Sequence, residues 1–303
     1  MKLTPKAKKI FTVLAVLTVA ITLTGCTVPK NADGSIVLIK LDTTFQDIMA
    51  SESWFSAIFV WPLAEWINQM TPVIGVGGAI AVVTIVVNGL LALATLKSTI
   101  GMQQMQLIQP ELEKLNRKYE GRSDNTSKMR QANEMQALYK KYDVNPMGSL
   151  LVTFLQFPVI IAMYMAVQRS YAVATGSFLG MDLQLTPLAG MQNLISGDTA
   201  SIMYILMFIF MGVCQFFSMY MPMAIQKKKA KEEAEKHHTK PAKASTQNKI
   251  MQYYMMGMIL IFGLMWPTAM SLYWAINSLV NVAKTLLVQK YIDNRNAKKE
   301  GAR

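Results

Sequence analysis

The sequence predicts an all-α membrane protein, with five transmembrane helices after a cleaved amino-terminal signal peptide and a helical hairpin on the cytoplasmic side. Three observations carry that prediction. Of the 303 residues, 52% are hydrophobic and only 16% charged, against about 25% charged in an average soluble domain. The apolar residues come in unbroken runs of about twenty, which no aqueous core can shelter but a hydrocarbon layer of ~30 Å can. Lys and Arg are distributed very unevenly among the segments that join those runs. The formal charge of +12, from 30 basic and 18 acidic residues, would direct attention to nucleic acid in a soluble protein. Here its placement matters more than its sum, and no DNA partner is expected.

At the amino terminus, Lys2, Lys6, Lys8 and Lys9 precede an uncharged stretch from Ile10 to Leu23, and then comes Leu23-Thr24-Gly25-Cys26. This is the layout of a secretory signal peptide, assigned to residues 1–25. The small residue before the cysteine, with an aliphatic residue three positions ahead of it, matches the bacterial lipobox, so Cys26 is expected to be the lipidated first residue of the mature chain. The other reading is an uncleaved first span with a chance cysteine, but the stretch is shorter than the ~20 residues a span needs. Cleavage removes four of the positive charges and leaves the mature chain at +8. The second cysteine, Cys214, lies in an apolar segment. Two cysteines are too few for a disulfide framework, and neither sits in a metal-ligand spacing.

Residues 26–72 read as an extracellular segment. Within it, Trp54 to Met70 holds Trp54, Phe55, Phe59, Trp61 and Trp66 beside Glu65 and Asn68, a pattern for a helix lying in the membrane interface, with Pro62 as an expected kink. A loop with some buried aromatics is the other reading. Residues 73–96 form the first span: 24 residues without a charge, about 36 Å as helix. Residues 97–146 are strongly charged. Pro110 opens one helical pattern (Leu112, Leu115, Tyr119), Gly121 ends it, and a second runs through Met129, Met135, Leu138 and Tyr142, so the segment reads as a helical hairpin outside the membrane. The second span, 147–170, contains Pro158, which a membrane helix tolerates where neighbours satisfy the freed carbonyl. An extracellular loop, 171–200, leads to a third span, 201–224. A basic cytoplasmic loop, 225–249, carries both histidines. Spans four and five, 250–266 and 268–290, are separated only by Pro267 and must form a tight hairpin of short helices; 291–303 is a basic tail.

Charge placement orients the chain. Lys and Arg number nine in 97–146, eight in 225–249 and six in 284–303, against two in 27–72 and none in 171–200. Positively charged connections stay in the cytoplasm. The mature amino terminus is therefore expected outside a cell membrane and the carboxyl terminus inside, as a lipidated Cys26 independently requires.

Several chemistries are excluded. His237 and His238 are the only histidines, adjacent and in the charged linker, which removes Ser/His and HExxH proteolysis. Gly75, Gly77 and Gly78 lack the third glycine and the preceding strand of a dinucleotide loop, and there is no GxxxxGK[ST]. No acid falls in the middle of a span, so a proton relay of the usual kind is not expected. The chain reads as no enzyme, without cofactor beyond the diacylglyceryl lipid on Cys26. What remains is uncharged polarity at membrane depth: Thr84 and Asn88 four residues apart, Gln156 midway in span two, Gln215 in span three, and Tyr273, Asn277 and Asn281 repeating every four residues along span five. Such groups normally face a neighbouring helix or a hydrated cavity. Pattern alone leaves both open.

The stretch Pro110-Glu-Leu-Glu-Lys-Leu, followed by Leu138-Tyr-Lys-Lys-Tyr-Asp-Val-Asn-Pro146 and Leu155-Gln-Phe-Pro-Val-Ile-Ile-Ala-Met-Tyr164, resembles the membrane protein insertases of the YidC/Oxa/Alb family. So does Phe262-Gly-Leu-Met-Trp-Pro-Thr-Ala-Met-Ser-Leu-Tyr-Trp274, with Asn277 a turn later. The resemblance runs from about Ser53 to Ile292, and the lipobox looks like the Gram-positive branch. It implies a groove in the inner leaflet, open to cytoplasm and lipid and closed from outside. The polar lining would fall on Thr84, Asn88, Gln156 and Trp274, with Phe157, Ile160, Tyr273 and Asn277 as candidate client contacts. It also implies nascent membrane proteins as clients and points to the ribosome, the Sec translocon and the signal recognition particle receptor as partner candidates. Anionic lipid is the other reading of the basic loop and tail. Where most members carry arginine, in a pattern like Thr-Ile-x-x-Arg, this chain has Thr84-Ile-Val-Val-Asn88, and Leu93 replaces the usual downstream proline. An amide can only hydrogen-bond, which puts a charge-attraction step at Asn88 in doubt. Two alternatives therefore stand beside a general insertase: a specialised paralogue that assembles a few clients, and a channel or carrier.

Overall fold

The structure, a computed structural model, describes residues 28–122, 124–142, 144, 146–236 and 246–300. The signal peptide and Cys26 lie outside them. The described chain is all-α apart from one two-stranded hairpin, and it divides into two compact bodies, 28–83 with Gln156–Leu185, and Thr84–Leu155 with Thr186–Arg303.

In the first body a capping box starts α1 (Phe45–Ser51): the Thr44 hydroxyl accepts from the Asp47 N–H while the Asp47 carboxylate accepts from the Thr44 N–H. This reciprocal arrangement satisfies two otherwise orphaned donors. A single π-helical stretch, Ser56–Val60, then feeds α2 (Trp61–Ala94). Pro62 does not kink it. It directly follows the π-helical stretch, inside a helix already under way, and the wider turn before it accommodates the ring and the missing N–H. The break falls instead at Gly75, whose φ of 72° and ψ of 165° leave the helical region. Nothing crowds that glycine, so its role is the positive φ that other residues adopt only under strain. The aromatic helix therefore continues through Thr71 and Pro72 to Ile74, beyond the expected end at Met70. The apolar helix resumes after Gly75 and runs to Ala94.

The core of this body packs Ile39, Ile48, Phe55, Ala57, Val60 and Ala64 against Ala162, Met165 and Ala166 of α6 (Pro146–Arg169). Polar groups pin the extended segment before α1. The Ile39 N–H donates to the Arg169 carbonyl (2.6 Å), and the Ile39 carbonyl accepts from the Tyr171 N–H (3.1 Å) and the Asn68 amide (2.8 Å). The region expected as a loop after span two is ordered. It holds α7 (Tyr171–Thr175) and an antiparallel hairpin of β1 (Ser177–Phe178) with β2 (Met181–Asp182), turned by Leu179 and Gly180 at positive φ. The Phe178 ring lies where a Cβ on Gly77 would stand, 2.2 Å from its ideal position, so glycine there permits close approach.

In the second body α3 (Leu96–Leu107) follows α2 after Thr95, a helix not anticipated before the hairpin. The hairpin arms are α4 (Gln109–Lys118), opened by Pro110 in its first turn, and α5 (Asn125–Lys141), capped by Asp124; Gly121 turns between them at φ 80°. Ile108, Leu112 and Val144 form their small core with Met105, Met135, Leu138, Tyr139 and Tyr142 packed against it. Met129, expected on that stripe, is 63% exposed. α8 (Pro187–Ile195), capped by the Thr186 hydroxyl, and the short 3-10 turn Thr199–Ser201 lead into α9 (Ile202–Lys236). α10 (Thr246–Met265) and α11 (Thr268–Glu300) turn at Trp266 and Pro267, as the sequence requires. α11 packs chiefly along α9, and α3 touches both.

Two expected boundaries move. α9 continues through the basic segment to Lys236, and α11 runs past residue 290 to Glu300. Lys, Ala and Glu are good helix formers, and opposite charges four residues apart support the continuation: Lys228 faces Glu232 at 3.8 Å and Lys231 faces Glu235 at 3.9 Å. Lys229 bridges the two helices by pairing with Asp293 at 2.8 Å. Among the described residues, Ser56–Ala94 and Thr199–Lys229 are long and apolar enough to cross a bilayer, and Gln252–Met265 is a shorter apolar helix.

Candidate functional site

Thr84 and Asn88 lie one turn apart on α2, both buried. The Asn88 amide Nδ2 donates to the Thr84 carbonyl at 2.9 Å, so one donor of the amide is engaged within its own helix. Asn88 is thus a buried, hydrogen-bonded amide.

On α11, Tyr273, Trp274 and Asn277 are all buried. The Trp274 indole stacks on Trp266 (centroids 5.3 Å apart, planes at 12°), and Trp266 stacks on Phe262 (5.2 Å, 18°). Offset aromatic pairs of this kind add about 0.5–1.5 kcal/mol beyond their burial. Trp274 therefore clasps the α10–α11 turn. The Tyr273 hydroxyl and the Asn277 Oδ1 are buried with no hydrogen-bond partner among the described residues. A buried polar group left in that state costs roughly 1–3 kcal/mol, so each calls for a water or a polar ligand group. One residue on, the Ser278 hydroxyl donates to the Gln215 Oε1 of α9 at 2.7 Å. Gln215 therefore acts as interhelical glue, the plainer of the two readings left open for it.

Gln156, Phe157 and Ile160 belong to the first body, on the turn of α6 around Pro158. Gln156 and Ile160 are half-buried, and Phe157 is 56% exposed. Phe157 thus presents an open apolar surface.

One charged site escaped the sequence reading. Arg169 is wholly buried. Its guanidinium donates to both carboxylate oxygens of Glu52, one at 2.7 Å, and its Nε donates to the Val37 carbonyl at 2.9 Å. Asn68 completes this polar centre, accepting through Oδ1 from the Ser170 hydroxyl (2.7 Å) and the Ala172 N–H (3.0 Å). An arginine closing an apolar run, with an acid more than a hundred residues earlier, leaves no local pattern to find. Lys284, counted with the basic carboxyl-terminal residues, is half-buried on α11.

Outside the apolar helices, the hairpin carries its own electrostatics. The Glu134 carboxylate accepts from Lys118 Nζ and from the Tyr119 hydroxyl, each at 2.8 Å. Lys118, and then Tyr119, hold its carboxyl below the usual range, while the bond to Glu134 holds the Lys118 ammonium above its own. The Tyr142 hydroxyl donates to Glu111, which raises its pKa. These bonds join the two arms across a shallow depression lined by Leu115, Ala137, Leu138 and flanking lysines.

The family model described as 60Kd inner membrane protein matches residues 66–296. Among curated relatives, the chain is 29% identical over 241 residues to membrane protein insertase MisCA of Bacillus subtilis, covering 79% of this chain and 80% of that protein. It is 29% identical over 290 residues to membrane protein insertase YidC of Oceanobacillus iheyensis, covering 93% and 97%. Over a shorter stretch of 135 residues it is 39% identical to membrane protein insertase YidC 1 of Streptococcus pyogenes, covering 44% and 48%.

Proposed function

Because the chain belongs to the 60Kd inner membrane protein family, the YidC/Oxa/Alb insertases, we propose that it is a membrane protein insertase acting on nascent membrane proteins in the cell membrane. The observation that carries this is the nearly end-to-end match with a relative itself named an insertase, over 93% of this chain and 97% of that one. Such relatives do not favour the restricted-paralogue or channel readings.

The finer reading is that five spans follow a lipidated, external Cys26, with the hairpin, the basic ends of α9 and α11, and the carboxyl terminus in the cytoplasm. Three things support it: the lipobox, the asymmetry of Lys and Arg, and the alternation of apolar helices with charged segments. We further propose a hydrated groove in the inner leaflet. Thr84, Asn88, Tyr273 and Asn277 of the second body supply its polar lining, and the orphaned oxygens of Tyr273 and Asn277 support a wet or client-occupied surface. Trp274 is proposed at its outer end. Gln156, Phe157 and Ile160 of the first body are proposed as client contacts, with exposed Phe157 the foremost.

The proposed mechanism is physical. A client must carry a short polar flank through ~30 Å of hydrocarbon, where each bare polar group costs several kcal/mol. A hydrated notch shortens that dry path, and short helices such as Gln252–Met265 thin the bilayer locally. Burial of the client's own apolar segment, worth roughly 25 cal/mol per Å², supplies the driving force, so the step is read as non-enzymatic and free of nucleotide or cofactor. The hairpin and basic ends are proposed to receive a ribosome, the Sec translocon, a targeting receptor or anionic lipid.

The test is depletion of a host's own insertase with this chain expressed in its place. Insertion of single-span clients should be restored, with nascent chains crosslinking to a photoreactive residue at Phe157. Normal expression without insertion or crosslinking defeats the proposal.

A further inference from the structure

The segment that precedes α1 is a strap with one wet end and one apolar end. Asn31 to Ser35 form its exposed tip, where the Asn31 N–H donates to the Ser35 carbonyl at 2.8 Å and Gly34 takes positive φ. At its base the Val37 N–H donates to the Pro29 carbonyl at 2.9 Å, and the Val37 carbonyl accepts from Nε of the wholly buried Arg169. The base is thereby fixed to the body. Val28, next to it, is half-buried and packs against the core built on Ile39, Ile48 and Phe55. The chain therefore leaves the strap at its apolar base, away from its polar tip.

The same core carries an aromatic rim. The buried Phe55 ring meets Phe59 at 5.3 Å and Trp54 at 6.1 Å between centroids, and Trp54 and Phe59 are themselves exposed. The π-helical stretch turns Ile58 outward beside Phe59 while Ser56, Ala57 and Val60 are buried. Phe45 meets the half-buried Trp61 edge-on at 5.9 Å, and Met49, one turn further along α1, is exposed as well. Phe45, Met49, Trp54, Ile58 and Phe59 thus surround one core with large apolar side chains left uncovered. Such a patch marks an interaction site.

We infer that this rim seats the acyl chains carried by Cys26, the protein's own lipid. The inference rests on the lipobox reading of Leu23 to Cys26. Cys26 stands two residues before Val28, and two residues of chain reach at most about 7 Å. Because Val28 is held on the core, the Cys26 sulfur that bears the glyceryl group stays beside the rim, and the chains begin among its side chains. Other lipids of the leaflet have no such constraint, whereas a tether this short keeps the attached chains at a high effective concentration on the one apolar surface within reach. The chemistry agrees. Alkyl chains laid on Ile58, Met49 and the ring faces strip no hydrogen bond, and the one polar atom of the rim, the Trp54 indole nitrogen, belongs at the headgroup level where such rings are favoured. Seated there, the lipid holds the strap, α1 and the π-helical stretch at the membrane interface as one unit.

The full chain, made in a Gram-positive host fed a fatty acid that bears a photoreactive diazirine, tests this in intact membranes. After irradiation, mass spectrometry maps the peptides joined to the amino-terminal lipopeptide, and adducts of free membrane lipid are told apart because they lack the Cys26 peptide. Lipopeptide adducts should fall on Phe45–Trp61 and exceed those on the equally exposed Phe210, Phe217 and Met255 by at least about tenfold, a preference of about 1.4 kcal/mol. Met49→Glu with Ile58→Glu, both at exposed positions, should remove most of these adducts, while free-lipid adducts on α9 stay unchanged and report a folded, inserted chain. Lipopeptide adducts spread evenly over all exposed apolar residues, found only with free lipid, or unaffected by the double variant overturn the inference. A Cys26 peptide without the mass of the lipid would instead overturn the lipobox reading, and this inference with it, and leave the insertase reading intact.

Discussion

Arg169 and Glu52 illustrate how much a single pair decides. The guanidinium is wholly buried and the carboxylate side chain is 10% exposed, so neither retains much solvation once the other is removed. Their joint contribution is modest, because burying both charges offsets most of their attraction, but breaking the pair leaves an uncompensated charge and costs about 3–5 kcal/mol. Glu52→Gln should therefore lower the thermal midpoint of the detergent-solubilised protein sharply, whereas Glu52→Asp, which keeps the charge, should lower it less. Equal midpoints for Glu52→Gln and the native chain would show the pair to be inert. At this scale the sequence announces conformation better than chemistry. Gly121, Pro110 and Pro267 act where their backbone limits require. Pro62 is the exception, because the π-helical turn before it accommodates a proline within the helix. The burial of Thr84, Asn88 and Tyr273 was legible from their place in apolar runs. That Asn88 would turn its amide back on its own helix, or that Arg169 would find Glu52, depends on neighbours that no spacing names.

The hairpin shows the same division among elements. Its two arms and its turn follow from apolar spacing bounded by Pro110 and Gly121, yet Met129 falls outside the packed face because only one side of α5 meets α4. Its arms are joined by polar bonds whose pH dependence has a definite sign. The Glu134 carboxyl is held low in the folded hairpin, so its contribution is present above the ordinary carboxylate range and is lost as pH falls through that range. The Lys118 ammonium is held high, so its share persists at neutral and mildly basic pH and disappears only beyond the lysine range. Amide-exchange protection of Gln109–Lys118 and Asn125–Lys141 should thus decline on acidification more steeply in the native chain than in Glu134→Gln. Parallel pH profiles for the two would remove this pair from the account. The helical ends of α9 and α11 reach into the segments whose high charge suggests a loop and a tail. Lys-Ala-Glu segments form helix readily, and Lys229 with Asp293 ties the two together.

For the whole molecule, the proposed orientation rests on the uneven placement of Lys and Arg. In a Cys214→Ser background, Ser196→Cys should react with a membrane-impermeant maleimide added outside intact cells, and Ala132→Cys only after permeabilisation. The reverse pattern would invert the proposed topology. The sequence by itself determined that the chain is a helical membrane protein, where its apolar runs lie, which segments carry the positive charge, and which family it resembles. Those properties are written in composition, period and local order, and water or lipid reads them one segment at a time. Only the tertiary structure decided which polar groups are answered: Arg169 by Glu52, Gln215 by Ser278, and the Tyr273 hydroxyl and Asn277 Oδ1 by nothing among the described residues. Satisfaction of a buried group is a property of pairs distant in the chain, and it exists only once the helices have packed.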